Sequence, residues 1–235
     1  MGMMINRRRA YGGEKLPYVQ DGLVLWLDGI WNAGIGKHNN NVTTWVDLSG
    51  NGHDAVFSRG HQGSGMNPKT YWGDNCLVYP DDSVSVAEFT ANLGGTLTLQ
   101  FCYSNFQKKS TFWAFYDTFD DSVNFYHAGN DWGTAVYGAR NNRMLTNSSA
   151  TLLQTKGTIT HYFTTGRVGL NFDGVTSYEG TLPNYEASSK KWTIGGPYVT
   201  NYFTGNLHCV RIYNRVLTAE EIALNHAIDI QRFNL

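Results

Sequence analysis

Arg167-Val-Gly-Leu-Asn-Phe-Asp-Gly174 is the stretch whose reading decides the fold. Val168, Leu170 and Phe172 alternate with Arg167, Gly169 and Asn171, the period of two that gives a strand one apolar and one polar face. Asp173-Gly174 follows, a dipeptide that tolerates positive φ and closes a tight hairpin, and Val175–Tyr178 returns the chain. The same habit recurs upstream. In Thr96–Tyr103, Leu97, Leu99, Phe101 and Tyr103 alternate with Thr98, Gln100 and Cys102. Ser110–Tyr116, Val123–His127, Gly133–Ala139 and Ile159–Thr164 read as further strands, with Trp192–Ile194 and Leu207–Tyr213 as the last two. Leu23-Val-Leu-Trp-Leu27, closed by Asp28-Gly29, is an apolar run of strand length and predicts a well-buried opening strand. Leu207, Val210 and Ile212 do not share a face under strict alternation, so a bulge near His208-Cys209 is expected.

Near the end the period changes. Thr218-Ala-Glu-Glu221 is a capping box, with Ile222, Asn225 and Ile228 or Asp229 continuing at helical spacing. Many strands and one short C-terminal helix predict an all-β chain, a two-sheet antiparallel sandwich. At 235 residues, with 41% hydrophobic and 16% charged residues, the chain suffices for one large all-β domain. Residues 1–20 read as an extended basic arm, and residues 21–235 as the domain. Polar connections interrupt the strands: Trp31–Thr44, the dense turn Asp47-Leu-Ser-Gly-Asn-Gly-His-Asp54, and Ser58–Lys69.

A net charge of −1 gives no global field for nucleic acid or an acidic membrane. No run approaches the roughly 18 apolar residues of a membrane span. Met1–Ala10 is basic but lacks the apolar segment of a secretory leader. Cys76, Cys102 and Cys209 have no metal-ligand spacing, and buried reduced thiols are expected. That leans towards assembly inside a cell rather than oxidative secretion.

Leu25-Trp-Leu-Asp-Gly29 and Trp45-Val-Asp-Leu-Ser-Gly-Asn-Gly-His-Asp54 together resemble the opening of laminin-G-like, concanavalin A-like jelly rolls. The segment from Phe203 to Ile222 is similar to their closing strand and terminal helix. Val168–Gly174 and Trp192–Gly196 stand between them in the family's order. The resemblance spans roughly residues 22–230 and implies a jelly roll of two antiparallel sheets, about six or seven strands each. It also implies a possible Ca²⁺ site, for which Asp47, Asn51 and Asp54 are the local candidates. The alternative is that Asp47 and Asn51 close their turn through side chain–backbone bonds. Residues 5–18, Ile-Asn-Arg-Arg-Arg-Ala-Tyr-Gly-Gly-Glu-Lys-Leu-Pro-Tyr, resemble the start of bacteriophage structural proteins of gut bacteria.

Enzymes with this fold hydrolyse glycosides with paired acids on one strand face, and no Glu-x-Asp-x-x-Glu pattern is present. Asp81-Asp82 and Asp120-Asp121 are adjacent pairs, which point to opposite faces of a strand. Glu220-Glu221 belong to the helix start. No catalytic residue is therefore assigned, and His38, His53 and His61 read as exposed loop histidines. Trp132, Trp31, Trp72 and Tyr202 are the tentative glycan-stacking rings, with core packing as the competing reading. Arg7, Arg8 and Arg9 suit docking on an acidic partner surface. The expectation is a non-catalytic binding or display protein on a phage virion (a head fibre, decoration or tail component), assembled in the host cytoplasm. It would be homo-oligomeric, attached to other virion proteins by its arm, and able to meet surface glycans. The alternatives are a secreted extracellular carbohydrate-binding module and, less favoured, a glycoside hydrolase.

Overall fold

The computed structural model describes residues 17–58, 71–80, 86–106, 113–116, 124–127, 134–138, 142–146, 155–164, 166–180, 190–195 and 203–235. The strands are β1 (Leu23–Asp28), β2 (Thr44–Trp45), β3 (Ala55–Ser58), β4 (Tyr71–Trp72), β5 (Leu77–Tyr79), β6 (Val86–Ala91), β7 (Leu97–Ser104) and β8 (Trp113–Tyr116). There follow β9 (Asn124–His127), β10 (Thr134–Gly138), β11 (Asn142–Thr146), β12 (Gly157–Thr164), β13 (Arg167–Phe172), β14 (Val175–Gly180), β15 (Lys190–Ile194) and β16 (Gly205–Tyr213). One helix, α1 (Ala219–Phe233), closes the described chain. Among the described residues no helix is long and apolar enough to cross a membrane.

Two antiparallel sheets result. The first runs β14-β13-β12-β7-β16-β5-β4, with β1 also on β16; the second runs β11-β10-β9-β8-β15-β6-β3-β2. Each has eight strands, more than the six or seven the family resemblance implies. The surplus comes partly from the stretch between Thr44 and Ala91, where alternation is too brief to register. Edge strands of two residues, such as β2 and β4, carry no periodic signal.

Alternation builds the core. Leu97, Leu99, Phe101 and Tyr103 of β7 join Leu25, Leu27, Ile159, Leu170, Val210 and Ile212 against Trp45, Ala55, Phe89, Trp192 and Ile194 of the other sheet. The opposite face of the first sheet is covered too, because α1 lies over it and buries Ile222, Asn225, Asp229 and Phe233. Trp26, Cys102 and Cys209 therefore pack with Phe233 and Tyr18 rather than facing water. All three cysteines are buried and free.

The local signals land where their chemistry places them. Asp173 and Gly174 adopt φ of 50° and 80°, forming the hairpin between β13 and β14. The ladder between β16 and β7 slips between Leu207 and Cys209, which is the bulge at His208. Thr218 accepts from the Glu221 amide while Glu221 accepts from the Thr218 amide. Tyr18 is 3% exposed and Val19 packs beside Tyr213 and Ile222. Residues 1–16 lie outside the described part.

Candidate ligand-binding cleft

The turn from Asp47 to Asp54 is held by its own side chains. Asp47 Oδ1 accepts the amides of Trp26 (3.0 Å) and Ser49 (2.9 Å), and Oδ2 accepts the His53 amide (3.0 Å) and the Ser49 hydroxyl (2.9 Å). Asp54 Oδ1 accepts the Asp47 amide at 2.8 Å. Asn51 Nδ2 donates to the carbonyls of Leu23 (3.2 Å) and Val24 (2.9 Å), stapling the turn to β1. Calcium needs about six to eight oxygens with lone pairs directed at it. Both Asp47 oxygens already take two donors each, and Asn51 turns its donor end towards β1. Asp47, Asn51 and Asp54 thus form a turn clasp whose arrangement does not fit the ion. Among the described residues, no group of three or more His, Cys, Asp or Glu is placed to hold a metal.

This clasp forms one wall of a cleft of about 640 Å³. The cleft opens at the end of the sandwich where β1 begins, β16 leaves, and the β6–β7 connection crosses from one sheet to the other. Asn51, His53, Asn92, Thr96 and Asn214 supply its polar side chains, and Gly22 and the Gly94-Gly95 turn supply backbone. Gly22 is favoured by its backbone and lies beside the Asn214 side chain. Its φ is 74°, and a Cβ there would stand 2.9 Å from Asn214 Oδ1. Its carbonyl accepts the Asn214 amide at 2.9 Å, which fixes that side of the opening. Asn51, Asn92 and Asn214 are exposed. Among the described residues, none of the lining side chains is a carboxylate, a lysine or an arginine.

The residues singled out in the sequence are scattered elsewhere. Of the two readings of Trp72, packing fits: it is 7% exposed, donates Nε1–H to the Val42 carbonyl at 2.9 Å, and meets Trp45 edge-on at 5.2 Å. A ring so enclosed is core, not a sugar platform. Trp31 is half-buried, with the Arg232 guanidinium 4.4 Å over its ring. His38 is exposed, as expected, and bonds to Asn40 and the Gly29 carbonyl. Trp132, Tyr202, His61, Arg7, Arg8 and Arg9, and the pairs Asp81-Asp82 and Asp120-Asp121, lie outside the described residues. Alternation and motif searching both miss the cleft, because its residues are turn amides far apart in sequence. The only available sign was turn chemistry at Gly94-Gly95 and at Asn214.

A second polar assembly lies between the first sheet and α1. Arg211, fully buried, donates through Nη1 and Nη2 to the two carboxylate oxygens of Asp229 at 2.7 and 2.6 Å. Burial opposes the charge on Arg211, but Asp229 and its neighbours outweigh it and hold the guanidinium above its ordinary pKa. Tyr18 donates its hydroxyl to Asp229 at 2.8 Å and stacks under the Arg211 guanidinium at 4.0 Å. Burial, reinforced by Asp229, pushes the Tyr18 phenol well up. Asp28 accepts from Arg232 at 2.9 Å, yet burial still holds its carboxyl above the usual range. His208 joins three segments. A carbonyl can only accept, so Nδ1–H donates to Asn75 (3.0 Å) and Nε2 accepts the Ser104 hydroxyl (2.8 Å). Burial lowers the His208 pKa, keeping the ring neutral.

A laminin G family model, described as the concanavalin A-like lectin/glucanases superfamily, matches residues 81–223, and the chain belongs to that family. Domain 4 of AbnA, a GH43 extracellular arabinanase from Geobacillus stearothermophilus in complex with arabinotriose, superposes with a TM-score of 0.66 at 14% identity, over 86% of this chain and 96% of that one. A Trypanosoma rangeli sialidase in complex with 2,3-difluoro-KDN superposes with a TM-score of 0.61 at 16% identity; 90% of this chain is covered, but only 33% of the sialidase. Identities this low establish the sandwich alone. No curated protein matches the chain.

Proposed function

We propose that this chain is a non-catalytic glycan-recognition and display domain. The observation that carries the reading is how the buried carboxylates are used. Asp229 faces Arg211, Asp28 faces Arg232, and Asp47 faces backbone amides and a hydroxyl. Glycoside hydrolysis needs two carboxyl groups roughly 5–10 Å apart across an open groove. These three are sealed against cations and amides, and the open cleft is lined by neutral groups instead. The arabinotriose complex of the arabinanase domain supports the sandwich as a scaffold that meets glycans.

The setting we propose is a phage virion, with residues 1–16 docking a homo-oligomer onto other virion proteins through Arg7, Arg8 and Arg9. It rests on the resemblance of residues 5–18 to phage structural proteins. The secreted binding module is the alternative. Because Tyr18 and Val19 are packed, the test truncation starts the chain at Pro17. The expected result is a folded but unassembled sandwich, absent from purified particles; incorporation without the arm overturns the docking role. Incubating the full chain with a polysaccharide panel tests the first claim. Retention without release of reducing ends is expected, and steady product formation overturns it.

A further inference from the structure

We infer that the cleft between Asn51, Asn92 and Asn214 is the ligand site, and that it takes a neutral, hydroxyl-rich oligosaccharide held by amide hydrogen bonds without ring stacking. This rests on reading the chain as a glycan-recognition domain and adds the site and the ligand class.

Hydrogen-bonding capacity comes first. A carboxamide offers two donors and an acceptor with two lone pairs, which can bridge neighbouring sugar hydroxyls. Elsewhere in this protein, the buried Asn32 and Asn225 commit those groups internally. Around the cleft, no side-chain hydrogen bond engages Asn92, Thr96, Asn214 or the His53 ring among the described residues. Four polar side chains with open capacity converge on one concavity of about 640 Å³, within the roughly 300–1,000 Å³ range of small-ligand sites.

The walls are held in place before any ligand arrives. Asn51 is fastened to β1, and Asn214 is fixed by its amide to Gly22. Little ordering is then lost on binding, which favours affinity. Gly94 has nothing within 4 Å of where a Cβ would stand, so the cleft floor leaves room at that turn.

Charge selects the ligand class. Among the described residues no lysine or arginine lines the cleft, and the neighbouring Arg215 is already held by Glu221 at 2.7 and 2.6 Å and by Asp21 at 2.8 Å. A sialylated or sulfated glycan would bring an anion with no partner. Neutral sugars lose nothing there.

Among the described residues the lining also contains no Phe, Tyr or Trp ring. Recognition by hydroxyl bonds alone exchanges water contacts for protein contacts, and each such exchange contributes only about 1 kcal/mol net. A single site of this kind belongs in the millimolar class, so useful attachment needs several copies acting together.

Titration calorimetry of the full chain tests this with cellotriose, maltotriose, galactotriose and arabinotriose, beside 3′-sialyllactose and a sulfated disaccharide. A millimolar Kd for at least one neutral probe is expected, and no heat with the anionic ones. In N92A/N214A that Kd should rise about tenfold or more, and N92W, which fills the opening, should abolish binding. Leu224→Ala, on the exposed face of α1 and outside the cleft, should leave it unchanged. Neutral binding that survives both cleft variants would overturn the site while leaving glycan recognition standing. Preference for the anionic probes would overturn the ligand class. No heat with any sugar, with melting curves confirming a folded chain, would remove the parent reading as well.

Discussion

Asn225 and Asn214 are the same residue type, eleven positions apart in the sequence, with opposite fates. Asn225, fully buried on the inner face of α1, accepts the Val19 amide at 3.1 Å and donates to Gln100 at 2.7 Å and Tyr213 at 2.9 Å. Asn214 stands exposed at the cleft, its backbone amide bonded to Gly22 and its side-chain carboxamide unbonded among the described residues. The difference is where each sits relative to the first sheet. A sheet covered on both faces shields its polar groups from water, and on its helix side Asn225, Gln100, Tyr213, Arg211 and Asp229 pair with one another. At the sandwich end no such shielding exists, and amides remain available to a ligand. Polarity thus holds the fold together in one region and is open to recognition in the other.

The largest expected effect lies on the buried side. Asp229→Ala strands Arg211, fully buried, without its counter-charge, and a loss of about 3–5 kcal/mol in urea unfolding is expected. Replacing both partners, as R211M/D229L, should lose less than the single change; an equal or larger loss would mean that the pair contributes beyond mutual neutralisation. Tyr18→Phe removes one hydrogen bond to a charged group and should cost about 1.5–3 kcal/mol. Thr218→Ala, at the helix cap, should cost about 1 kcal/mol.

Titration provides another contrast. Burial lowers the His208 pKa in the folded chain, so the unfolded chain binds the proton that the fold excludes. Stability is therefore complete above the unfolded value of about 6.5 and declines as pH falls through and below it. His208→Gln should flatten that part of the profile relative to the parent. Smallest of all, Asn92→Ala and Asn214→Ala should change stability by no more than about 0.5 kcal/mol. Millimolar Ca²⁺ should leave the melting temperature unmoved, since the Asp47 oxygens are already engaged; a rise would reopen the clasp as a metal site.

The buried half of this contrast was legible in the sequence and the open half was not. Leu97 to Tyr103 and Val168 to Phe172 announce their faces because burial imposes a period that survives in the residue string. Thr218-Ala-Glu-Glu221 is equally readable, since a cap acts over a single turn. Trp72 left two readings open because an aromatic beside polar residues looks exposed, and its packing against Trp45 selects between them. Asn92 and Asn214 could not be found, because a cleft assembled from three connections has no spacing. The pairing of Arg211 with Asp229 was hidden for a related reason: their positions encode strand and helix, and the geometry between those elements does the rest.

Tyr18 has a mechanical consequence. A pull applied ahead of Pro17 meets the phenol clamped to Asp229 and the Val19 amide clamped to Asn225 before it reaches β1. Both clamps sit on α1, so tension is passed to the far end of the chain and into the helix, and the first strand is spared from being peeled off its neighbour. A tether at this end would load the molecule through its most deeply buried ionic contact.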